Sequence, residues 1–278
     1  MDRGDYYRAL ALKEDVLRTM KQRFNLRLHT YALSFASRAC SYLGRWDRAV
    51  EEGQKALSVA QEVSDNCLIS WSAWNLSIAY SWRGDLAQAV EYGELAVQKA
   101  VTPADKGCAQ RSLGWALCRA GEISRGIELL ANVLPIFRAG GLMVFEFPLM
   151  CYLGEGYWLA GEDNKAMQTL EKGLKIAERC GARYYSAFAQ RLLGEIVLRT
   201  NPAQAVSHFE KSIAVFQEIK AENELALSFA GYGRCYKLKG QIAQALEYLT
   251  KALKIFERLG TLIEPDKVRK ELAGLREV

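Results

Sequence analysis

Residues 240–260 read GQIAQALEYLTKALKIFERLG, and residues 84–100, far upstream, read GDLAQAVEYGELAVQKA. Both stretches begin with glycine and carry alanine five residues later, as Gly84 and Ala89 do in the second of them. Because one chain carries nearly the same pattern at two distant places, the sequence predicts an architecture built of repeats.

The same step recurs at a fixed period along the chain. Its first residue is glycine in every case except Thr200. The second residues are separated by 37 to 40 positions and are Ala49, Ala89, Gly126, Ala166, Ala205 and Ala245. A fixed period in this range is typical of a helical solenoid.

Each repeat has the pattern of two amphipathic helices, here called helix A and helix B, joined by a tight turn. The turn glycine ends helix A, since glycine adopts the left-handed conformation at the lowest cost. In the last repeat Ala245, Leu249, Ala252 and Phe256 fall on one face of helix B. Small residues that allow close helix contact stand seven positions before five of the turns: Ser37, Ser77, Gly114, Gly154 and Gly233.

The fourth repeat carries the pattern by which a known family is identified. It has Leu-Gly-x-x-Tyr at 153–157 in helix A, followed by Ala166, Leu170 and Gly173 in helix B. This pattern resembles the tetratricopeptide repeat. The resemblance implies an all-α fold, a right-handed α-solenoid of stacked antiparallel helix pairs, here with a period of about 40 residues.

The chain departs from that family in three respects. Its period exceeds the usual value of about 34 residues, and it lacks both the tryptophan near the start of helix A and the proline that ends helix B. Long repeats and the closing stretch at 252–275 resemble the helical arms of large bacterial signalling proteins. In those proteins the arm follows an ATPase module, sometimes with a nucleotide-cyclase or DNA-binding domain.

We predict a single superhelical domain over residues 1–278. Its parts are an unpaired helix B at 5–22, helix-pair repeats at 25–63, 66–100, 104–139, 142–180, 182–219 and 222–259, and a capping helix at 265–276. Half of a helix hairpin leaves apolar surface uncovered, whereas solenoid ends normally carry a polar cap. We therefore expect a piece of a longer protein, or another element covering 5–22; the alternative is that this first helix is itself the cap.

In proteins of this family the A helices line the concave face. Five of the six tryptophans fall at concave-facing places, together with seven basic and two acidic residues. Tryptophan, tyrosine and arginine dominate binding hot spots. The predicted partner-binding groove contains Tyr31, Arg38, Tyr42, Trp71, Trp74, Trp82, Arg111, Trp115, Arg119, Trp158, Arg191 and Arg199. The alternative is that these large inner residues simply pack on one another.

These features favour a protein-interaction scaffold that binds a peptide or partner domain bearing acidic and apolar side chains, among them other domains of the same parent chain. A sensor of a small effector molecule is the second hypothesis. Single-stranded nucleic acid is the third, because arginine and tryptophan can stack on bases. The net charge of +5 over 278 residues, without a Lys/Arg run longer than two, argues against the third.

Catalytic chemistry is not expected. The chain has no GxxxxGK[ST] or GxGxxG loop, and its two histidines, His29 and His208, lie far apart. None of its seven cysteines forms a CxxC pair, so neither a metal centre nor a disulfide framework is predicted. We expect no catalytic residue, metal ligand or cofactor. Without a signal sequence or a membrane-spanning apolar run, the predicted location is cytoplasmic.

Overall fold

A computed structural model describes residues 4–20 and 25–276. These residues form fourteen helices and no strand. The helices are α1 (Tyr6–Met20), α2 (Leu26–Tyr42), α3 (Trp46–Glu62), α4 (Asn66–Arg83), α5 (Leu86–Lys99), α6 (Pro103–Ala120), α7 (Ile123–Ala139), α8 (Met143–Leu159), α9 (Asp163–Arg179), α10 (Arg183–Val197), α11 (Pro202–Ile219), α12 (Glu222–Leu238), α13 (Ile242–Leu259) and α14 (Glu264–Arg276).

The helices pack as successive pairs. Each of α2, α4, α6, α8, α10 and α12 packs on the helix B that follows it, and each of the first five also packs on the helix A of the next pair. The A helices therefore form one continuous inner layer, with the B helices outside. The predicted all-α solenoid of stacked antiparallel helix pairs is confirmed. The last positions of the predicted first helix, 21–22, lie outside the described residues.

Glycine ends helix A where the sequence predicts it. Gly84 adopts a left-handed φ of 94° and donates its N–H to the Tyr80 carbonyl at 2.9 Å. The turn at Thr200 is built differently, since Asn201 caps α11 with its side chain and Pro202 occupies the first helical position. Proline is pre-organised for that position, so this turn forms without glycine.

Small residues bring helix A and helix B of a pair together. A Cβ built on Gly126 would lie 2.5 Å from both the Gly114 carbonyl oxygen and Cys118 Sγ, so no side chain fits there. In the first pair Ser37 donates its hydroxyl to the Ala49 carbonyl at 2.7 Å. Close approach at these places is thus made by glycine or by a serine that bonds across the contact.

The solenoid curves until its two ends meet. The Leu262 N–H, after α13, donates to the Arg83 carbonyl oxygen at the end of α4 at 2.9 Å. Leu259 lies against Gly44, and Ile219 lies against Gly4. The six pairs therefore complete about one superhelical turn, and the layer of A helices encloses much of the inner space.

In the described part of the chain, we find no helix with the length and apolar character that crossing a bilayer requires.

Candidate functional site

The structure places the twelve residues of the predicted groove on or beside the A helices. Eleven of them lie on A helices, and Arg199 follows the end of α10. Tyr31, Arg38 and Tyr42 lie on α2, and Trp71, Trp74 and Trp82 lie on α4. Arg111, Trp115 and Arg119 lie on α6, Trp158 on α8 and Arg191 on α10. That these residues bind a partner stays a prediction; their surroundings divide them into three groups.

The first group is a closed aromatic cluster. Trp82 and Trp115 lie with ring centroids 4.6 Å apart, and Trp115 stacks on Tyr152 at 4.3 Å. Trp82 also contacts Tyr184 and Phe188, which come from α10 across the superhelical turn. Both indoles are almost completely buried, so they pack on one another as the alternative interpretation expects and present no open groove wall.

Tyrosines extend this cluster toward the first pair. The hydroxyl groups of Tyr42 and Tyr185 lie 2.8 Å apart, and those of Tyr152 and Tyr185 lie 3.3 Å apart. Burial raises the pKa of Tyr185 well above its ordinary value, so these hydroxyls remain neutral hydrogen-bonding groups. Tyr42 is therefore held inside the turn by residues of the fifth pair.

The second group lies at the N-terminal side of the inner face. Tyr31 packs edge-on against Trp71 with ring centroids 5.4 Å apart. The Trp71 indole donates to Asp105 Oδ1 at 2.9 Å, and the Thr102 N–H donates to Asp105 Oδ2 at 3.0 Å. Burial acts to raise the pKa of Asp105, but these hydrogen bonds outweigh it and the pKa is lowered.

Trp74 and its two arginines belong to the same side. Arg38 and Arg111 approach the Trp74 ring, with their guanidinium carbons 5.3 and 5.5 Å from its centroid. Arg111 is only 2% exposed, and no carboxylate pairs with it in the described part of the chain.

The third group borders an open cavity of about 820 Å³ in the C-terminal half of the inner face. Volumes of this order are typical of ligand sites. Five cations and four anions line it: Arg119, Arg191, Arg199, Arg234 and Lys267, with Glu155, Asp163, Glu195 and Glu264. Trp158, Leu227 and Ile263 supply apolar wall.

Most of these charges are already paired. Arg119 lies 3.3 Å from Glu155, which also accepts the Trp115 indole N–H at 2.8 Å. Arg234 lies 2.8 Å from Glu195 and also pairs with Glu271 of α14. Such bridges between successive A helices fix the shape of the cavity before any ligand arrives.

Two further charged groups complete the cavity. Burial acts to raise the pKa of Glu264, but Lys267 and Arg119 outweigh it and the pKa is lowered. Arg199 is exposed at the rim and forms no ion pair with any described residue. Within the described ranges, Arg199 is thus a lining cation that forms no ion pair, and Asp163 is a lining anion that forms none.

Several of these residues were not predicted from sequence. Glu224, which pairs with Arg191 at 2.8 Å, and Asp105 both lie in the first turns of A helices, before the places taken as groove-facing. Glu224 stands 33 positions after Arg191, and an acidic residue near the start of the helix A that follows an arginine of the preceding helix A is a signal that could have found it. Glu264 and Lys267 reach the cavity only because the ends of the turn meet, and no local pattern indicates that.

Other reactive groups do not converge. The described residues contain no group of three or more His, Cys, Asp or Glu side chains arranged to hold a metal ion. His208 contacts Gln190 through Nδ1 at 2.6 Å, and burial lowers its pKa. Burial also raises the pKa of Cys40 to about 11 and that of Cys118 to about 12, which leaves both thiols protonated at neutral pH.

Comparison with known proteins finds the family in part of the sequence. Residues 185–258 match the sequence model of the tetratricopeptide repeat. No curated protein matches the chain.

Solved structures share the fold over nearly the whole chain. Cut9, solved as the APC/C hetero-tetramer Cut9-Hcn1, has a TM-score of 0.68 at 14% identity over 98% of this chain and 48% of its own. A Rap protein complexed with competence and sporulation factor has a TM-score of 0.64 at 13% identity over 94% and 78%. A signal transduction ATPase with a tetratricopeptide repeat sensor, from Pyrococcus horikoshii, has a TM-score of 0.62 at 14% identity over 96% and 42%.

These likenesses establish the fold. The chain spans about half of the Cut9 chain and less than half of the ATPase.

Proposed function

Since the chain is a solenoid of tetratricopeptide-type helix pairs, we propose that it is a protein-interaction scaffold whose inner face binds a peptide or a partner domain. It serves as the regulatory arm of a larger cytoplasmic signalling protein and has no catalytic activity of its own. This type of fold is generally a non-catalytic interaction scaffold.

The observation that carries this proposal is the open cavity of about 820 Å³ on the inner face. Trp158 and Leu159 offer apolar contact there, and Arg199 offers a cation that forms no ion pair with the residues the structure describes. An acidic side chain flanked by apolar ones complements these three groups.

We propose partner contact for only some residues of the predicted groove. Of its twelve residues, Arg119, Trp158, Arg191 and Arg199 line the cavity. Trp74, Trp82 and Trp115 are enclosed and would meet a partner only if the turn opened. We therefore place partner contact at the C-terminal half of the inner face.

The setting within a larger protein is supported by α1. Leu12 and Val16 are 54% and 39% exposed, although Ala56, one period after Val16, is completely buried. A helix from another domain or partner would cover this stripe. The ATPase that shares the fold is described as carrying its repeats as a sensor, and the Rap protein and Cut9 were solved with bound partners.

A small-molecule effector is the second candidate, because the cavity volume falls within the usual range of about 300–1,000 Å³ for such ligands. Nucleic acid is less favoured. The five cations of the cavity face four anions, whereas a strand of phosphates calls for a continuous basic track.

The test is selection of binders from a displayed library of acidic, aromatic-containing peptides. We expect selected peptides to bind the wild type and to lose roughly ten-fold or more of their affinity with Trp158→Ala or Arg199→Ala. Lys175→Ala, on the exposed outer side of α9, is the control that retains affinity. Recovery of no binder, or of binders that ignore the cavity variants, contradicts the proposal.

A further inference from the structure

Nitrogen donors without acceptors surround the indole of Trp74. The Nε and Nη1 atoms of Arg111 are buried and have no hydrogen-bond partner among residues 4–20 and 25–276. The same holds for Trp74 Nε1 and for Arg38 Nε. Four orphaned donors on three neighbouring side chains are unusual, since buried polar groups in proteins are nearly always hydrogen-bonded.

The buried charge of Arg111 also lacks compensation. Arg191, the other deeply buried arginine of the inner face, has the Glu224 carboxylate 2.8 Å away. The acidic groups that face Arg111 are the Cys108 thiol and tyrosine hydroxyls, those of Tyr152 and Tyr185 among them. Burial raises the pKa of all three groups, so none is negatively charged at neutral pH.

Aromatic rings account for part of the environment of Arg111. Its guanidinium carbon lies 5.5 Å from the ring centroids of Trp74 and Phe145, and 5.9 Å from that of Phe137. Cation–π contacts offset only part of the cost of removing a cation from water. They also leave the N–H groups at the edge of the guanidinium without acceptors.

We propose that Arg38, Trp74 and Arg111 form a binding site for one oxyanion, the carboxylate or phosphate group of a small ligand. Guanidinium groups bind both kinds of oxyanion through paired N–H donors. The indole N–H of Trp74 supplies a further donor. This site lies in the N-terminal half of the inner face and is separate from the cavity of the proposed function.

The depth of the site sets the size of its ligand. Trp74 is 0% exposed, while Arg38 is half-buried and lies against Phe35, which is 39% exposed. An oxyanion therefore enters beside Arg38 and Phe35, and only a small ion or the anionic end of a small molecule reaches Arg111. Because the three side chains lie on α2, α4 and α6, the bound oxyanion ties three successive A helices together.

The test is thermal unfolding of the whole chain in inorganic phosphate, acetate or chloride at matched ionic strength. We expect a saturable rise in Tm with phosphate or acetate over chloride, because a ligand that binds only the folded state stabilises it. The phosphate and acetate arms identify which oxyanion is preferred. With Arg111→Met or Arg38→Met the concentration for half-saturation rises roughly ten-fold or more.

Arg179→Met, which removes an exposed arginine of the outer helix α9, is the matched control and keeps the wild-type response. Phosphate also stabilises proteins non-specifically. A Tm rise of equal size in the wild type and in both site variants, or no oxyanion-dependent rise in the wild type, overturns the proposal.

A second measurement separates ligand binding from a purely structural role. In oxyanion-free chloride buffer we expect Arg111→Met to unfold at the wild-type Tm or above it, since an uncompensated buried charge is removed. A structural cation held by the three rings predicts a lower Tm instead, and that result contradicts the proposal. If Arg111→Met does not fold, the same contradiction stands, and Arg38→Met, which changes a half-buried residue, still reports the oxyanion response.

Discussion

At the scale of single residues, the inner face of this protein contains buried charged side chains. The free-energy cost of burying each one depends on whether it has a partner of opposite charge. Arg191 and Glu224 lie 2.8 Å apart with side chains only 5% and 2% exposed. Two ions removed from water are stable there only as a pair. Either one left alone would be an uncompensated charge in the core.

We therefore predict that Arg191→Met lowers the free energy of unfolding by about 3–5 kcal/mol, and that adding Glu224→Leu restores much of the loss. Urea denaturation measures both. The exposed pair of Arg258 and Glu222 is the control, and its loss costs at most about 1 kcal/mol. If the double variant is as unstable as the single one, the loss is due to packing and not to the orphaned carboxylate.

The lowered pKa of Asp105 predicts how the stability of the protein depends on pH. Its pKa is lowered in the folded chain because hydrogen bonds from Thr102 and Trp71 outweigh burial. A lowered folded pKa contributes stability that is fully present above the ordinary value of about 4 and is lost as pH falls through the folded value. Asp105→Asn should cost about 1–2 kcal/mol at pH 7.

The same difference should shrink toward zero as pH falls below about 4, because protonation of Asp105 then weakens the wild type as well. Urea denaturation at a series of pH values follows it. A difference between wild type and Asp105→Asn that stays constant down to pH 3 would exclude the linkage.

At the scale of elements, the contact between helix A and helix B is set by the smallest residues. Gly114 and Gly126 lie so close together that a Cβ on Gly114 would be 2.9 Å from the Gly126 carbonyl oxygen, and a Cβ on Gly126 would be 2.5 Å from that of Gly114. Serine takes this place in the first two pairs and donates its hydroxyl to the carbonyl of helix B. The distance between the two helices of these pairs is thus set by residues that have no side chain or a short one.

Gly126→Ala should lower the free energy of unfolding by about 1–3 kcal/mol, since the added methyl group meets backbone atoms that cannot move aside. Gly274→Ala is the matched control in helix α14, where a Cβ meets nothing within 4 Å. That variant should gain up to about 1 kcal/mol from helix propensity. Equal effects of the two substitutions would show that close approach does not limit the third pair.

At the scale of the whole molecule, the superhelical turn is closed by aromatic contacts between distant repeats. The Tyr184 ring lies 4.4 Å from that of Tyr42 and 5.8 Å from that of Trp82. It also contacts Tyr6 and Phe216. An ordinary solenoid is stabilised by contacts between neighbouring repeats alone, and here the first and fifth pairs stabilise each other as well.

We expect Tyr184→Leu to increase amide hydrogen exchange in α1 and α2, more than a hundred residues away in sequence, as well as in α10. Tyr248→Leu is the control, because Tyr248 packs on Phe229, Tyr232 and Tyr236 within the last pair. Its effect should remain in α12, α13 and α14. If Tyr184→Leu leaves hydrogen exchange in α1 and α2 unchanged, the contacts of Tyr184 do not stabilise the first pair.

More of the fold than of the candidate site could be predicted from the sequence. The helix pairs were predictable because each glycine turn and each small residue acts on its immediate neighbours in the chain. The position of Trp82 and Trp115 on A helices was also predictable. Their burial was not, since it depends on Tyr184 and Phe188 reaching Trp82 from three pairs further along.

The sequence by itself determined the helical repeat, its period and which helix of a pair carries each tryptophan, because these follow from local periodicity and from steric limits at adjacent helices. Only the tertiary structure decided that the inner face is sealed at Trp82 and Trp115, open at Trp158 and charged without compensation at Arg111. The physical reason is that superhelical curvature sums small rotations over successive repeats. The sequence of any one repeat therefore does not specify which distant side chains come into contact when the superhelix closes.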